Sequence, residues 1–169
     1  MSLSPVSYRP IGIIHSAHQV KEKIPAQPIY AQECLGTAEI LPEFLDGLRD
    51  IEEFSHIYLV FHLHEAGPPR LIVKPFLQPQ DHGIFATRAP SRPNPIGLSI
   101  VELVKRVGNI LHFRGCDILD GTPLLDIKPY TRRFDHIATQ RNGWQDQVDD
   151  QTAGQRGLRD YQGSNGGAA

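Results

Sequence analysis

The sequence predicts a mainly β protein, built as a small antiparallel barrel or sandwich with one or two short helices and long loops. The 169 residues include 14 prolines and 15 glycines, and six or seven short apolar segments are separated by turn residues. A Rossmann-type cofactor domain is not expected, because no Gly-x-Gly-x-x-Gly follows the first strand and strands do not alternate with helices. The length fits one domain, which we place at 1–144, followed by a polar, flexible C-terminal tail at 145–169.

The overall charge gives no case for nucleic acid binding across the whole surface, since the formal net charge is −2. A local basic face remains open, because a nearly neutral chain can still carry a cationic patch. Cys34 and Cys116 lie far apart without a metal-ligand spacing, which favours reduced thiols. No apolar run approaches membrane-spanning length, and none follows a basic start. We therefore expect a cytoplasmic protein without a membrane anchor.

Two strands and one helix are predicted in the first third of the chain. Residues 10–16 are short and β-branched, and residues 31–41 form a second candidate strand after a polar surface loop at 17–30. The one predicted helix is 42–51, where apolar residues recur at helical spacing.

The remaining strands are recognised as apolar runs bounded by turn-forming residues. They are 55–64, 70–76, 98–107, 110–118 and 123–128. Two of them flank Gly108-Asn109, a two-residue turn of the kind that hairpins favour. Between 78 and 97 lies a long loop, which we expect to be ordered and functional because it is rich in prolines and apolar residues.

Two polar segments carry the candidate binding site. The first, 85–97, contains three prolines, which fix the backbone around Arg88 and Arg92 and so present both cations on a rigid loop. The second, 117–130, contains Asp120-Gly121-Thr122-Pro123, a turn signature between apolar runs. Cations on one loop and carboxylates on the other suit a zwitterionic ligand that also carries hydroxyl groups.

Metal and nucleophile chemistry are less well supported by the sequence. His62 and His64 share one face of a strand, but no third ligand stands at a recognised spacing, so no metal site is predicted. Ser91 and Ser99 lack the Gly-x-Ser-x-Gly elbow of a nucleophilic serine, and Cys116 is interpreted as a packed residue.

Three groups of residues together resemble the TsaA-like domain of the TrmO family. They are Phe85-Ala86-Thr87-Arg88 with Arg92-Pro93-Asn94-Pro95-Ile96-Gly97, Asp120-Gly121-Thr122-Pro123 with Asp126-Ile127-Lys128-Pro129-Tyr130, and Ile11-Gly12-Ile13-Ile14-His15-Ser16. The resemblance covers about residues 8–144. It implies a small closed antiparallel β-barrel that forms a homodimer and acts as an S-adenosylmethionine-dependent methyltransferase. The implied reaction is N6-methylation of threonylcarbamoyladenosine, next to the anticodon of tRNA.

The resemblance also implies which residues contact S-adenosylmethionine. These cofactor-binding residues are Pro25, Ala26, Gln27, His64, Glu65, Arg88, Arg92, Leu98, Asp120, Gly121, Thr122 and Pro123. One departure is visible, since the family often carries Pro-Arg-Gln where this chain has Pro25-Ala26-Gln27. The missing arginine bears on contacts with cofactor or substrate.

A proton must leave the N6 group during such a reaction, and the hypothetical catalytic residues that assist its departure are Asp126 and Tyr130. Cations would bind the acceptor carboxylate and the anticodon phosphates, and the candidates are Arg70, Lys74, Arg132 and Arg133. Phe85 or Tyr130 could stack on a splayed base. Two alternatives stay open: a module that senses S-adenosylmethionine without acceptor chemistry, and a methyltransferase of small molecules.

Overall fold

Six antiparallel strands close into a barrel in the computed structural model, which describes residues 4–159 and 161. The strands in chain order are β1 (Gly12–Ser16), β2 (Leu35–Ile40), β3 (His56–His62), β4 (Ile72–Val73), β5 (His82–Gly83), β6 (Ile96–Val107), β7 (Ile110–Arg114) and β8 (Thr122–Pro129). The barrel order is β1-β2-β7-β6-β3-β8, while β4 and β5 pair only with each other. The predicted mainly β class and the closed barrel are therefore confirmed.

Strand β6 shows how the sequence forms this barrel. Buried inward side chains alternate strictly with exposed outward side chains over most of its 12 residues. This alternation is expected for a strand that has one face on the core and the other in solvent. That length lets β6 pair with β3 through its first half and with β7 through its second half. The predicted turn joins β6 to β7, and Gly108 takes the left-handed conformation there with φ of 61°.

The inward side chains of all six barrel strands form one apolar core. Its largest fully buried members include Ile14, Leu59, Leu111, Phe113 and Leu124. Cys116 also belongs to this core, as predicted, although it lies just past the end of β7, and burial raises the pKa of its thiol to about 12. The thiol is therefore a packing group and not a nucleophile at neutral pH.

Strand β8 closes the barrel and carries a bulge. Its first residues pair with β1, Thr122 opposite Ile14, and its later residues pair with β3. The register between β8 and β3 shifts at one point: Val60 lies opposite Asp126, whereas Phe61, the next residue of β3, lies opposite Leu124. One extra residue on β8 is therefore accommodated between those pairs.

The predicted helix at 42–51 is wrong in type. The structure has two 3₁₀ helices here, Pro42–Leu48 and Ile51–Glu53, which are separated by Asp50 in the left-handed conformation. The apolar residues of this segment still face the core: Leu48 is buried, and its apolar neighbours pack against the core. A segment this short gains little from continuous α-helical hydrogen bonding, so tertiary packing decides its conformation.

Two strand predictions are also corrected. Only Ile72–Val73 of the predicted strand 70–76 is extended, and it pairs with His82–Gly83 outside the barrel. The predicted loop at 78–97 accordingly contains β5 and a 3₁₀ helix at Ile84–Ala86. The predicted strand 110–118 ends at Arg114, because Gly115 has φ of 88° and turns the chain out of the ladder.

The segment that follows residue 144 contains structure that the sequence did not predict. Helix α2 (Asp150–Leu158) is capped by the preceding Asp149, whose carboxylate accepts a 2.8 Å hydrogen bond from the Thr152 amide. A four-residue helix α1 (Arg132–Asp135) comes earlier. Beyond α2, Tyr161 packs on the core, whereas 162–169 of the predicted tail lies outside the described residues. The domain boundary at 144 stays a prediction.

None of the helices within 4–159 is long and apolar enough to cross a membrane.

Strands β1 and β2 approach each other so closely that only glycine fits at position 12. A Cβ atom there would lie 2.3 Å from the backbone oxygen of Glu39. We expect Gly12→Ala to lower the free energy of unfolding by about 1–3 kcal/mol, because the strands must separate to admit the methyl group. Urea denaturation measures this change. Gly67→Ala is the control, since a Cβ at Gly67 meets nothing within 4 Å; equal stability of the two variants would contradict the expectation.

Candidate functional site

The candidate site lies at one end of the barrel, where four connecting segments meet. These are the loop after β1, the residues after β3, the loop before β6 and the turn before β8. Three contacts join them: Thr122 Oγ1 lies 3.3 Å from His64 Nδ1, Lys21 Nζ donates to the Glu65 carbonyl over 3.1 Å, and Arg88 donates to the Gln27 side chain. The structure thus brings together most of the cofactor-binding residues that the resemblance implied.

We call the end of the barrel where these four segments meet the rim, and Asp120 supplies a negative charge there. Its Oδ1 accepts a 3.0 Å hydrogen bond from the Ser16 amide and lies 3.6 Å from His15 Nδ1. The Ser16 amide first, and the Gln19 side chain next, hold the pKa of this carboxyl below its usual value. The Gly121 amide donates to Ile14 O over 2.9 Å, so the turn is fixed to β1. Asp120 is therefore an ionised acceptor at neutral pH on a rigid turn.

The contact between Thr122 and His64 selects one tautomer of a neutral imidazole. Thr122 is buried, with 2% of its surface exposed, and its single hydroxyl proton goes to Leu119 O at 2.7 Å. Thr122 Oγ1 can therefore only accept from His64, which places the proton of a neutral ring on Nδ1. The opposite nitrogen, Nε2, is left as a hydrogen-bond acceptor.

The two arginines of the predicted pair have different roles. Arg92 Nη1 donates to the backbone oxygens of Thr87 at 2.8 Å and Ile84 at 3.2 Å, so this side chain holds its own loop together. Arg88 instead reaches across to Gln27 and leaves most of its guanidinium donors for other partners. Arg88 is thus available for a ligand, while Arg92 uses Nη1 to fix the loop that presents Arg88 and keeps its remaining guanidinium donors.

Asp117 belongs to the site but is absent from the site residues that the resemblance implied. Its Oδ1 accepts a 2.7 Å hydrogen bond from the Ser99 hydroxyl, and Ser99 is 3% exposed on the inner face of β6. Burial raises the pKa of Asp117 to about 7, although the Ser99 hydroxyl and the Arg88 guanidinium act against that rise. The sequence held one signal that could have identified Asp117: it is a carboxylate close to Asp120 and Asp126 in an otherwise apolar stretch.

Leu98 and Asp126 lie on the outer face of the barrel. Both are opposite Val60, Leu98 on β6 and Asp126 on β8, and Leu98 is 50% exposed. The Asp126 carboxylate is engaged by Lys128 Nζ at 2.7 Å and by the Ile127 amide at 2.9 Å. Neither residue makes one of the rim contacts described above.

Tyr130 lies at the other end of the barrel from the loops. Its amide donates to His56 O over 3.1 Å at the start of β3, and its ring lies 5.8 Å from that of Tyr58. Eight positions separate it from Thr122, which at about 3.3 Å per extended residue is roughly 25 Å. Within one chain, therefore, Tyr130 cannot reach a ligand held by Asp120 and Arg88.

Within residues 4–159, no group of three or more His, Cys, Asp and Glu side chains could hold a metal ion. His82, for example, lies 2.6 Å from the Gln78 side chain and stacks on Trp144.

The chain is similar in sequence and fold to known proteins. The family model of the tRNA-methyltransferase O N-terminal domain matches residues 13–136. The crystal structure of TrmO from Pseudomonas aeruginosa has a TM-score of 0.70 and 41% identity, covering 83% of this chain and 63% of that chain.

Two curated relatives extend the comparison. A Pyrococcus abyssi relative named "Probable S-adenosyl-L-methionine-binding protein" is 56% identical over 139 residues, which are 82% of this chain and 76% of the relative. The human tRNA (adenine(37)-N6)-methyltransferase is 36% identical over 135 residues, which are 75% of this chain but only 30% of the human protein. The resemblance noted in the sequence is thereby confirmed, and the chain belongs to the family of the tRNA-methyltransferase O N-terminal domain.

Proposed function

We propose that this protein transfers a methyl group from S-adenosylmethionine to N6 of threonylcarbamoyladenosine, next to the anticodon of tRNA. Membership of the family makes S-adenosylmethionine the cofactor and methyl transfer the class of reaction. The observation that carries the proposal is the convergence of Arg88, Asp120 and the His64–Thr122 pair at one rim of the barrel. The reaction moves one methyl group to nitrogen, releases the N6 proton and leaves S-adenosylhomocysteine.

The polar groups of the rim fit this cofactor. A guanidinium can hold a carboxylate with two parallel hydrogen bonds, so Arg88, braced by Gln27, would take the carboxylate of the methionine part. Asp120 is ionised and would accept from ribose hydroxyls or the ammonium group. His64 Nε2 offers a further acceptor. When bound, the cofactor supplies a methyl group on a sulfonium, and the rim residues contribute by orienting it.

The loop at 25–27 and the turn at 121–123 would enclose the nucleoside part of the cofactor. Pro25 and Ala26 belong to the loop that carries Gln27, and Gly121 and Pro123 flank Thr122. Their side chains are small or rigid, so their backbone carbonyls could approach the edge of a purine, whereas the amides of Ala26 and Gly121 are already engaged by Gly157 O and Ile14 O. Glu65, whose carbonyl already binds Lys21, borders the same loop.

We keep Asp126 as the residue that assists loss of the N6 proton. Because it lies on the outer face of the barrel and makes no rim contact, a second subunit would have to bring it beside the acceptor, and its ion pair with Lys128 would have to open. Tyr130 can take part only if a second subunit supplies it, because of its distance along β8 from the rim. A homodimer would meet that requirement.

The outer face of β6 is the surface on which we place the dimer contact. Ile96, Leu98, Ile100 and Val104 are 40% to 50% exposed on this one face, which Glu102, paired with Arg114, interrupts between Ile100 and Val104. Tyr58 and Val60 of β3 continue the face. An apolar strip on a sheet face is typical of a protein interface. Two copies packed through it would bury this strip on both subunits.

The candidates for contact with tRNA are exposed cations at both ends of the barrel. Arg70, whose amide donates to Ser91 O over 3.0 Å, and Lys74 flank the loop that precedes β6. Arg132 and Arg133 lie on α1, next to Tyr130. A dimer that brings the second group near the rim of its partner would join the cations around one acceptor. Such a reaction would take place in the cytoplasm, where tRNA is modified.

The binding-module alternative also has support, because the Pyrococcus abyssi relative is named for cofactor binding alone. It predicts cofactor affinity without methyl transfer.

Nucleoside mass spectrometry tests the reaction. Purified protein and S-adenosylmethionine are incubated with tRNA from cells that lack this activity, and we expect threonylcarbamoyladenosine to gain the mass of one methyl group. In Arg88→Lys the KM for S-adenosylmethionine should rise about 10- to 100-fold, because a lysine cannot make the bidentate contact.

The matched control is Arg49→Lys, an exposed arginine far along the chain from the rim. If no nucleoside gains a methyl group while the protein binds the cofactor, methyl transfer to tRNA is excluded and the binding-module alternative stands. If Arg88→Lys and Arg49→Lys have equal KM values, Arg88 does not hold the cofactor.

Stability should depend on pH through Asp117. The pKa of this carboxyl is about 7 in the folded chain against an ordinary value of 3.8, so the folded state keeps a proton that the unfolded chain has lost. The free energy of unfolding should therefore fall as pH rises from about 4 to about 7. Asp117→Asn, which stays neutral and can still accept from Ser99, should reduce that fall, as measured by urea denaturation at pH 5 and pH 8.

Asp46→Asn, at an exposed position, is the control and should keep the pH dependence of the wild-type protein. An Asp117→Asn protein with the same loss of stability between the two pH values would show that Asp117 is ionised in the folded state.

The dimer face gives a further expectation. Ile100→Lys places a charge in the proposed contact, so light scattering coupled to gel filtration should show a dimer for the wild-type protein and a monomer for the variant. Leu35→Lys, on β2 and 65% exposed, should remain dimeric because β2 lies in another part of the barrel. A monomeric wild type, or a dimeric Ile100→Lys protein, would rule out this face.

A further inference from the structure

Helix α2 holds a residue of the proposed cofactor loop, although it lies beyond the matched region 13–136. The amide of Ala26 donates to the carbonyl oxygen of Gly157 over 2.7 Å. Ala26 is followed by Gln27, whose side chain is the partner of Arg88. A carbonyl near the C-terminal end of the helix thus fixes the backbone one residue away from the group that braces the ligand-binding cation.

The approach of α2 to this loop depends on the absence of a side chain at position 157. Gly157 is buried, and a Cβ atom added there would lie 2.4–2.5 Å from three carbons of the Tyr30 ring. Glycine in the interior of a helix costs about 1 kcal/mol relative to alanine, so it needs a compensating contact. Here the contact is the ring of Tyr30, and the close approach to it lets the helix reach Ala26.

Two further contacts fasten the same segment to the other cofactor loop. Arg156 Nη1 donates to Leu77 O over 3.1 Å, and Trp144 Nε1 donates to Ala86 O over 2.8 Å. Trp144 also stacks on His82, with ring centroids 5.1 Å apart and planes at 19°. Ala86 lies two residues before Arg88. The segment therefore contacts both loops whose side chains meet in the Gln27–Arg88 hydrogen bond.

We propose that residues 143–159, which we call the C-terminal strap, hold the two loops in the conformation that binds S-adenosylmethionine. Gly157 and Trp144 are its positioning residues: neither belongs to the rim contacts, and each fixes a backbone atom within two residues of Gln27 or Arg88. Loops that are ordered before binding lose less conformational entropy when the ligand arrives, so the strap raises affinity for the cofactor without contacting it. The proposal rests on the cofactor site proposed above.

The test compares Gly157→Ala with Gly154→Ala in the 169-residue chain. The two changes lie one turn apart on α2, and both favour the helix, but a Cβ at Gly154 meets nothing within 4 Å. We expect the Kd for S-adenosylmethionine, measured by isothermal titration calorimetry, to rise about tenfold in Gly157→Ala and to stay unchanged in Gly154→Ala. The amide of Ala26 should lose protection from hydrogen exchange only in Gly157→Ala, while the amide of Leu59 in the barrel keeps it.

Trp144→Phe is a second, independent variant, because phenylalanine can still stack on His82 but cannot donate to Ala86 O. It should raise the KM for S-adenosylmethionine several-fold and leave kcat at saturating cofactor within about twofold. This variant decides the question if Gly157→Ala does not fold. Unchanged cofactor affinity in Trp144→Phe and in folded Gly157→Ala would overturn the strap.

Gln27→Ala separates the failure of the strap from the failure of the site. If Gln27→Ala binds S-adenosylmethionine as tightly as the wild-type protein, the Gln27 side chain has no part in the site and the proposed cofactor site is wrong there. If Gln27→Ala binds more weakly while Gly157→Ala and Trp144→Phe bind normally, the site stands and the strap is excluded.

Discussion

The closure of the barrel by β8 is the constraint on which the rest of the structure depends. The strand pairs with β1 at its beginning and with β3 over the remainder, so it joins the two ends of the sheet. Closure leaves no free edge within the sheet and fixes the register of every strand. It also places the ends of β1 and β3 beside the starts of β6 and β8, and this is why four segments distant in sequence meet at one rim.

The rim is held mainly by hydrogen bonds between groups that are themselves part of the site. Arg92 holds the backbone of its loop, Thr122 sets the protonated nitrogen of His64, and Asp120 is tied to β1. Each such bond contributes only about 1 kcal/mol to stability. Their larger effect is to order the loops in advance, so that the proposed contacts of Arg88 and Asp120 are made from a prepared geometry.

The strands could be predicted because their signals are local, whereas those signals left a barrel or a sandwich open and the closed barrel was implied by the family resemblance. Alternating apolar residues and the turn at Gly108 determine β6 and β7, and proline-rich segments mark the loops. The helix α2 could not be predicted in this way, since it is fastened by a buried glycine, a backbone carbonyl and Arg156 and not by an apolar stripe. The 3₁₀ helices at 42–53 share the apolar spacing of an α-helix, so that pattern alone cannot separate the two.

The site was predictable in part for a related reason. Sequence motifs identify which residues belong together, but the register of β8 decides where each one lies, and Tyr130 falls at the far end because of it. The different tasks of Arg88 and Arg92 also depend on which backbone oxygens are within reach, information that no spacing in the sequence contains.

The bulge in β8 has a consequence for how this family can vary. Strict alternation from the buried Thr122 and Leu124 would turn Asp126 and Lys128 into the apolar lumen, where an unpaired carboxylate is very costly. The one extra residue reverses the faces, so that Ile127 packs on the core and the charged pair lies in water. Loss of the codon for Leu125 would remove the bulge and keep these faces, whereas loss of the codon for Ile127 with the bulge in place would turn Lys128 inward, so the constraint on the length of this strand depends on the position within it.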